Sequence, residues 1–264
     1  MRSQSEKAEA FRALHEGDPF VIPNPWDAGS AKVLAGLGFE ALATTSSGFA
    51  FTLGRVDGSV TLDEVVDHVR VIDEATALPV SVDLENGYGA EPADAAEAIE
   101  RAAGAGAVGG SIEDYDPEGH LYCLEHAVAR VGAAAEAARS LGFPFTFTAR
   151  AENHLRGNPD LDDTIVRLQA YAEAGADVLY APGLRNREEI AAVCEAVDKP
   201  VNVLAFPGLS RDEIVAGGAQ RISVGGGLAW ASVSGLATAA EEIRDSGSFD
   251  ALRAPADLNA WLSP

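Results

Sequence analysis

The sequence predicts a single (β/α)8 barrel, and three observations carry that reading. Short apolar runs that suit buried parallel strands alternate with helix-like segments from end to end, instead of separating into an all-α and an all-β half. Helical segments repeatedly close on Gly just before the next apolar run, in Ala103-Gly-Ala-Gly-Ala-Val108, Ala174-Gly-Ala-Asp-Val-Leu179 and Gly217-Gly-Ala-Gln-Arg-Ile222; these suit αβ turns with Gly near the helix C-cap. The chain has 264 residues, and one such barrel occupies about 250, so no second domain is left over.

Eight strands follow in order. Phe20–Ile22 is the first, and a helix over roughly Ala28–Leu37 ends at Gly38. Ala41–Thr45 is the second, followed by a long Gly/Ser loop and a helix from about Leu62, with Thr61 as N-cap and Glu64 completing a capping box. Pro79–Leu84 and Ala107–Ile112 are the third and fourth, joined by an Ala-rich helix from Pro92 to Ala103 with Pro in its first turn. Phe145–Arg150, Val178–Tyr180, Val201–Ala205 and Arg221–Val224 complete the set. Residues 228–264 then form a helical extension of the single 1–264 domain, with a helix near Gly235–Asp245 and another segment at Ala251–Trp261.

Composition narrows the function classes. Hydrophobic residues make up 47% of the chain, enough for a sizeable core, while no run of about 18 apolar residues suggests a membrane span. The N-terminal Met1-Arg-Ser-Gln-Ser-Glu-Lys lacks a secretory pattern, so a cytoplasmic location is expected. Cys123 and Cys194 fit no metal-ligand spacing and are read as free thiols. A formal charge of −22 argues against a nucleic-acid partner. It also requires a local cation or arginine wherever an anionic substrate binds.

In a parallel barrel the active face lies at the C-terminal ends of the strands. There Asp83 and Glu85 stand two residues apart, on one face of the third strand, and Glu113 ends the fourth. The three carboxylates are expected to converge on one point. Hard oxygen ligands without a Cys or His cluster suit Mg²⁺ or Mn²⁺. A single such acid more often caps a helix or solvates a loop; three together, followed by Asn86-Gly-Tyr-Gly89 where only a loop fits, favour the metal reading.

These residues resemble the isocitrate lyase/phosphoenolpyruvate mutase superfamily over nearly the whole chain. Pro25-Trp26-Asp-Ala-Gly-Ser resembles its segment after the first strand, and Thr45-Ser46-Ser47-Gly48 its Ser-Gly substrate loop. Leu53-Gly-Arg-Val-Asp57-Gly resembles the loop that contributes a site aspartate. Asp83-Leu-Glu85-Asn-Gly-Tyr-Gly resembles the metal motif, Ile112-Glu113-Asp supplies the third acid, and Thr148-Ala-Arg150-Ala-Glu resembles an Ala-Arg-x-Asp segment. The resemblance implies a Mg²⁺-dependent enzyme acting on a small 2-oxo or 2-hydroxy acid beside an enolate, with C-terminal helices exchanged between subunits of a homodimer or homotetramer. It places Arg150 on the substrate carboxylate, Asp57 in catalysis, and Trp26, Ser46, Ser47 and Gly48 at the substrate; Ser46–Gly48 taken alone also suits an ordinary turn. Asn202, on the seventh strand, is either a substrate ligand or a satisfied core residue, and His154 lies four residues beyond Arg150.

The sequence departs from the family after Glu113. Lyases of the superfamily carry Lys-Lys/Arg-Cys-Gly-His there, whereas this chain reads Asp114-Tyr-Asp-Pro-Glu118-Gly-His120. Glu118 is the candidate replacement acid/base, or else a solvated loop residue, and Tyr115–Tyr122 is expected to be a mobile lid. The expected activity is a Mg²⁺-dependent lyase, decarboxylase or hydrolase. The alternatives are an enzyme making or breaking a phosphonate C–P bond and an inactive barrel with a binding role.

Overall fold

Buried on both faces, the eight apolar runs have no solvent to satisfy their backbone groups and pair with one another in parallel. The computed structural model describes residues 2–255 and 257–262. In chain order it contains α1 (Gln4–Glu16), β1 (Phe20–Ile22), α2 (Ala28–Gly36), β2 (Leu42–Ala43), α3 (Ser46–Thr52), α4 (Leu62–Ala75), β3 (Val80–Asp83), α5 (Pro92–Gly104) and β4 (Gly109–Glu113). A small hairpin of β5 (Tyr115–Asp116) and β6 (His120–Leu121) follows, then α6 (Leu124–Ser140), β7 (Thr146–Arg150), α7 (Leu161–Ala174), β8 (Val178–Tyr180), α8 (Arg187–Ala196) and β9 (Val201–Leu204). The chain continues through α9 (Arg211–Ala216), β10 (Arg221–Ser223), α10 (Gly227–Ser246) and α11 (Leu258–Leu262).

The eight-stranded sheet runs β1-β10-β9-β8-β7-β4-β3-β2, with every adjacent pair parallel. The Ala43 N–H donates to the Pro23 carbonyl at 3.1 Å and the Asn24 amide to the Thr44 carbonyl at 3.0 Å, drawing β2 to β1 and nearly closing the barrel. All eight expected strands are present. Outside them, α5 and α6 pack together through alanines, among them Ala95, Ala98, Ala102, Ala127, Ala134 and Ala138, whose small side chains allow close approach. At the end of α7, Gly175 turns into β8 with φ 111, a conformation costly for any residue with a side chain.

The helix starts behave as their sequences suggest. Thr61 and Glu64 form the expected capping box, and Pro92 occupies the first turn of α5. Three features differ from expectation. Helix α1 lays Ala8 and Phe11 against Phe20, Ile22 and Val108 at the N-terminal ends of the strands. The expected loop after the second strand begins instead with α3, because Thr45 caps the first turn and Phe49 and Ala50 have a core to enter. Helix α10 begins at Gly227, earlier than expected, and buries only Ala229.

At the C-terminus α11 rests on α2 of the same chain, where a side chain at Gly36 would collide with the Trp261 indole. The expected extension, residues 228–264, includes 256, 263 and 264, which lie outside the described residues. Among the described residues, no helix is long and apolar enough to cross a membrane.

Candidate active site

Strand register brings the chemistry together. Glu113 at the end of β4 pairs with Arg150 at the end of β7, and Asp83 at the end of β3 pairs with Ser111. Arg150 reaches across these ends: Nη1 donates to Asp83 Oδ1 at 2.9 Å, and Nη2 lies 2.9 Å from Glu113 Oε2 and 2.7 Å from Glu152 Oε1. Arg156, from the loop after β7, takes the remaining oxygens, with Nη2 at 2.9 Å from Glu113 Oε1 and Nε at 3.1 Å from Glu152 Oε2. Two guanidiniums thus share two buried carboxylates. Burial opposes the charge on Arg150, but Glu152, Glu113 and Asp83 outweigh it and raise its pKa well above the ordinary value. Burial pushes Glu113 upward, while Arg150 and Arg156 oppose the shift.

The remaining acids are held from the loops. Asp83 Oδ2 accepts the Ser46 N–H at 3.3 Å in the first turn of α3, where the helix dipole favours an anion. Its Oδ1 accepts the Glu85 N–H at 3.3 Å, and Tyr88 Oη donates to Glu85 Oε1 at 3.2 Å. Glu85 and Tyr88 adopt left-handed backbone conformations, φ 49 and 62, which non-glycine residues take only when their surroundings impose them. Buried Arg130 supplies that constraint, donating to the carbonyls of Gly89 at 2.8 Å and Glu91 at 3.1 Å and also to that of Asn86. Burial, reinforced by Asp83 and Asp57, pushes the Glu85 carboxyl up to about 7. Burial also raises Asp57, with Asp83 adding to the shift and a hydrogen bond from Ser46 opposing it.

Two adjoining cavities open among these groups. The first, about 210 Å³, is lined by Ser46, Ser47, Asp57, Asp83, Arg150 and Asn202. The second, about 340 Å³, adds Glu85, Glu113, Tyr115, Pro117 and Arg156 to the shared Ser46, Asp57, Arg150 and Leu155. Eight of the sequence-derived candidates therefore meet here. Trp26, Gly48 and Glu118 line neither cavity. Gly48 is buried where a side chain would meet Thr45 and Trp26, so these residues seat α3. Glu118 is exposed at the hairpin tip, its N–H on Asp116 Oδ1 at 2.7 Å. Asn202 lines the wall, but its amide is already bonded to Ser223 Oγ and its carbonyl to Arg221 Nε, both at 2.9 Å. His154 also stays out of both cavities, and its buried Nε2 has no partner among the described residues.

The expected convergence of Asp83, Glu85 and Glu113 needs correction. Among the described residues, no three His, Cys, Asp or Glu groups are gathered as a metal site. Arg150 bridges Asp83 and Glu113, and Tyr88 engages Glu85, because buried carboxylates take whatever donors lie within reach. The donor chemistry still fits a hard divalent cation: all three groups offer carboxylate oxygens, and Asp57 and Asp83 stand close enough to Glu85 to add to the rise that burial causes.

Sequence reasoning assigned no role to Arg156, Arg130 or Tyr88. Glu152 stands two residues after Arg150, a spacing that was a usable signal for its role. Asp114 belongs to the support: its side chain accepts from Tyr171 Oη at 2.5 Å, Arg167 Nη1 at 3.1 Å and the Glu152 N–H at 2.8 Å.

Comparison with known proteins places this geometry in context. The sequence profile of a family described as phosphoenolpyruvate phosphomutase matches residues 11–244. The 2-methylisocitrate lyase of Halalkalibacterium halodurans is 32% identical over 210 residues, covering 76% of this chain and 68% of that protein. The oxaloacetate decarboxylase of Bradyrhizobium diazoefficiens is 30% identical over 236 residues, covering 85% and 79%. A crystal structure from Burkholderia cenocepacia J2315, provisionally assigned as a lyase/mutase, superposes with a TM-score of 0.95 at 52% identity, covering 99% of this chain and 97% of that one.

The raised Glu85 carboxyl predicts a pH signature. The folded state holds this proton up to about 7, against an ordinary value of 4.5. Between these values the folded state binds more protons than the unfolded state, so wild-type stability falls as pH rises through the window. Glu85→Gln abolishes the titration. In metal-free chemical denaturation the variant should gain on wild type between pH 4.5 and 7, by an amount on the order of 1–3 kcal/mol. Parallel stability curves for the two proteins across that range would contradict the assignment.

Proposed function

This chain belongs to the phosphoenolpyruvate phosphomutase family, within the isocitrate lyase/phosphoenolpyruvate mutase superfamily of enzymes, and on that premise we propose that it is a Mg²⁺-dependent lyase, decarboxylase or hydrolase of a small 2-oxo or 2-hydroxy acid. The observation that carries the reading is Arg150, poised among Asp83, Glu113 and Glu152 at the border of two cavities. Two relatives, named for 2-methylisocitrate and oxaloacetate, point to the same substrate class.

In this proposal Asp83, Glu85 and Glu113 hold the cation. When bound, it supplies Lewis-acid stabilisation of the charge that develops on an enolate-like oxygen. Arg150 exchanges its contacts with Asp83 and Glu113 for the substrate carboxylate, which its planar fork grips bidentately. Fully buried Glu152 stays behind the guanidinium and keeps it aimed. The Tyr180 ring, 5.3 Å from the guanidinium carbon, packs beside it and keeps water away. The Ser46 N–H and the hydroxyls of Ser46 and Ser47 donate to substrate oxygens. Asp57 lies in both cavities and is the acid best placed to hold a proton beside the reacting carbon. Glu118 reaches that position only if the β5–β6 hairpin closes.

We also infer self-association through the C-terminal helices, because Leu228, Trp230 and Leu236 of α10 remain exposed. Light scattering should then give a mass of two or four chains; a monomer at every concentration would overturn this inference.

The activity is tested by incubating the protein with Mg²⁺ and short 2-oxo and 2-hydroxy acids, including phosphonopyruvate. Release of pyruvate, glyoxylate or another carboxylate supports C–C chemistry. Phosphate release or mutase chemistry on phosphonopyruvate alone would transfer the protein to the C–P reading, and turnover of no member would overturn the proposal. On any substrate found, Arg150→Lys should lower kcat/KM by at least about 100-fold, the worth of a lost charge-assisted pair.

A further inference from the structure

Arg156 is built in a way that charge balance alone does not require. Two buried acids, Glu113 and Glu152, hold its Nη2 and Nε, and the Tyr115 ring lies 4.0 Å from its guanidinium carbon. Its Nη1 has no hydrogen-bond partner among the described residues. The side chain is 35% exposed, against 11% for Arg150, and it borders only the second cavity. A guanidinium fixed on one edge and open on the other has already lost most of its rotamer freedom before a ligand arrives.

The two cavities differ in what they offer a substrate whose first carboxylate sits on Arg150. Deep in the first, Asn202, Ser223 and Arg221 are bonded to one another, and Arg221 also donates to Thr148 Oγ1 at 2.9 Å. Among the described residues lining the second, Arg150 and Arg156 are the cationic side chains, and Arg156 is the one that Asp83 does not also engage. We propose that Arg156 binds a second anionic group of the substrate, a carboxylate or a phosphonate, and so selects doubly charged 2-oxo or 2-hydroxy acids over singly charged ones. The assignment rests on the functional reading above. The rival role, propping Glu113 and Glu152, weakens all substrates alike when it is lost.

The test compares matched acids by calorimetry in the presence of Mg²⁺: lactate with malate, and pyruvate with phosphonopyruvate. Wild type should bind the doubly charged member of at least one pair about 10-fold or more tightly than its partner, and the pair that responds identifies the second group as carboxylate or phosphonate. Arg156→Gln should weaken the doubly charged acid about 10- to 100-fold while changing the singly charged acid less than about twofold. The circular dichroism spectrum should stay the same, and the acids are compared at saturating Mg²⁺. Arg156→Lys, which keeps the charge but loses the fork, should recover only part of the preference. An equal loss for both members of each pair, or a wild type with no preference, overturns the proposal. A wild type that binds none of the four acids overturns the functional reading, and this proposal with it.

Discussion

The site depends on one constraint: carboxylates placed at the ends of buried parallel strands cannot remain uncompensated. Asp83, Glu113 and Glu152 are brought close by strand register and the turn after β7, and desolvation would exact several kcal/mol from each if it stood alone. Arg150 answers all three, and Arg156 answers two of them a second time. The arginines are nevertheless outnumbered. Glu85 and Asp57 are left near one another and Asp83, and burial together with these neighbours raises both carboxyls.

The surroundings keep that arrangement in place. Asp114, next to Glu113, turns away from the cavities and joins Tyr171, Arg167 and the Glu152 N–H, anchoring the ends of β4 and β7 to α7. On the other side, Arg130 of α6 fastens the carbonyls of the loop after β3 and so maintains the left-handed backbone that presents Glu85. The hairpin after β4 adds Tyr115 and Pro117 to the wall of the second cavity. For a chain of net charge −22, these arginines concentrate positive charge locally against the overall field, as the proposed anionic substrate would require.

Much of this could be read in the sequence, for identifiable reasons. The strands were legible because double-sided burial demands unbroken apolar runs, and Asp83, Glu85, Glu113 and Arg150 because they fall where such runs emerge on the active face. Helix α1 escaped because its buried face is Lys7, Ala8, Phe11 and His15, two polar and one small, so no strong apolar period announces it. Helix α3 was masked by Ser and Gly, residues that suit turns as readily as first helical turns. Arg130, and Arg156 where it reaches Glu113, act between segments far apart in the chain, which spacing along the sequence does not encode. The insertion of Arg150 between the acids was invisible for the same reason, since convergence of three carboxylates on a point says nothing about which cation lies there.

Asp83 and Glu113, tied here to Arg150, are the proposed ligands of a divalent cation. Calorimetric titration with Mn²⁺ of the wild type, Asp83→Asn and Glu113→Gln tests that assignment directly. One ion per chain is expected in the wild type, with an affinity at least about 10-fold weaker in each variant, as follows when a charged ligand is lost. Variants that bind Mn²⁺ as the wild type does would contradict it.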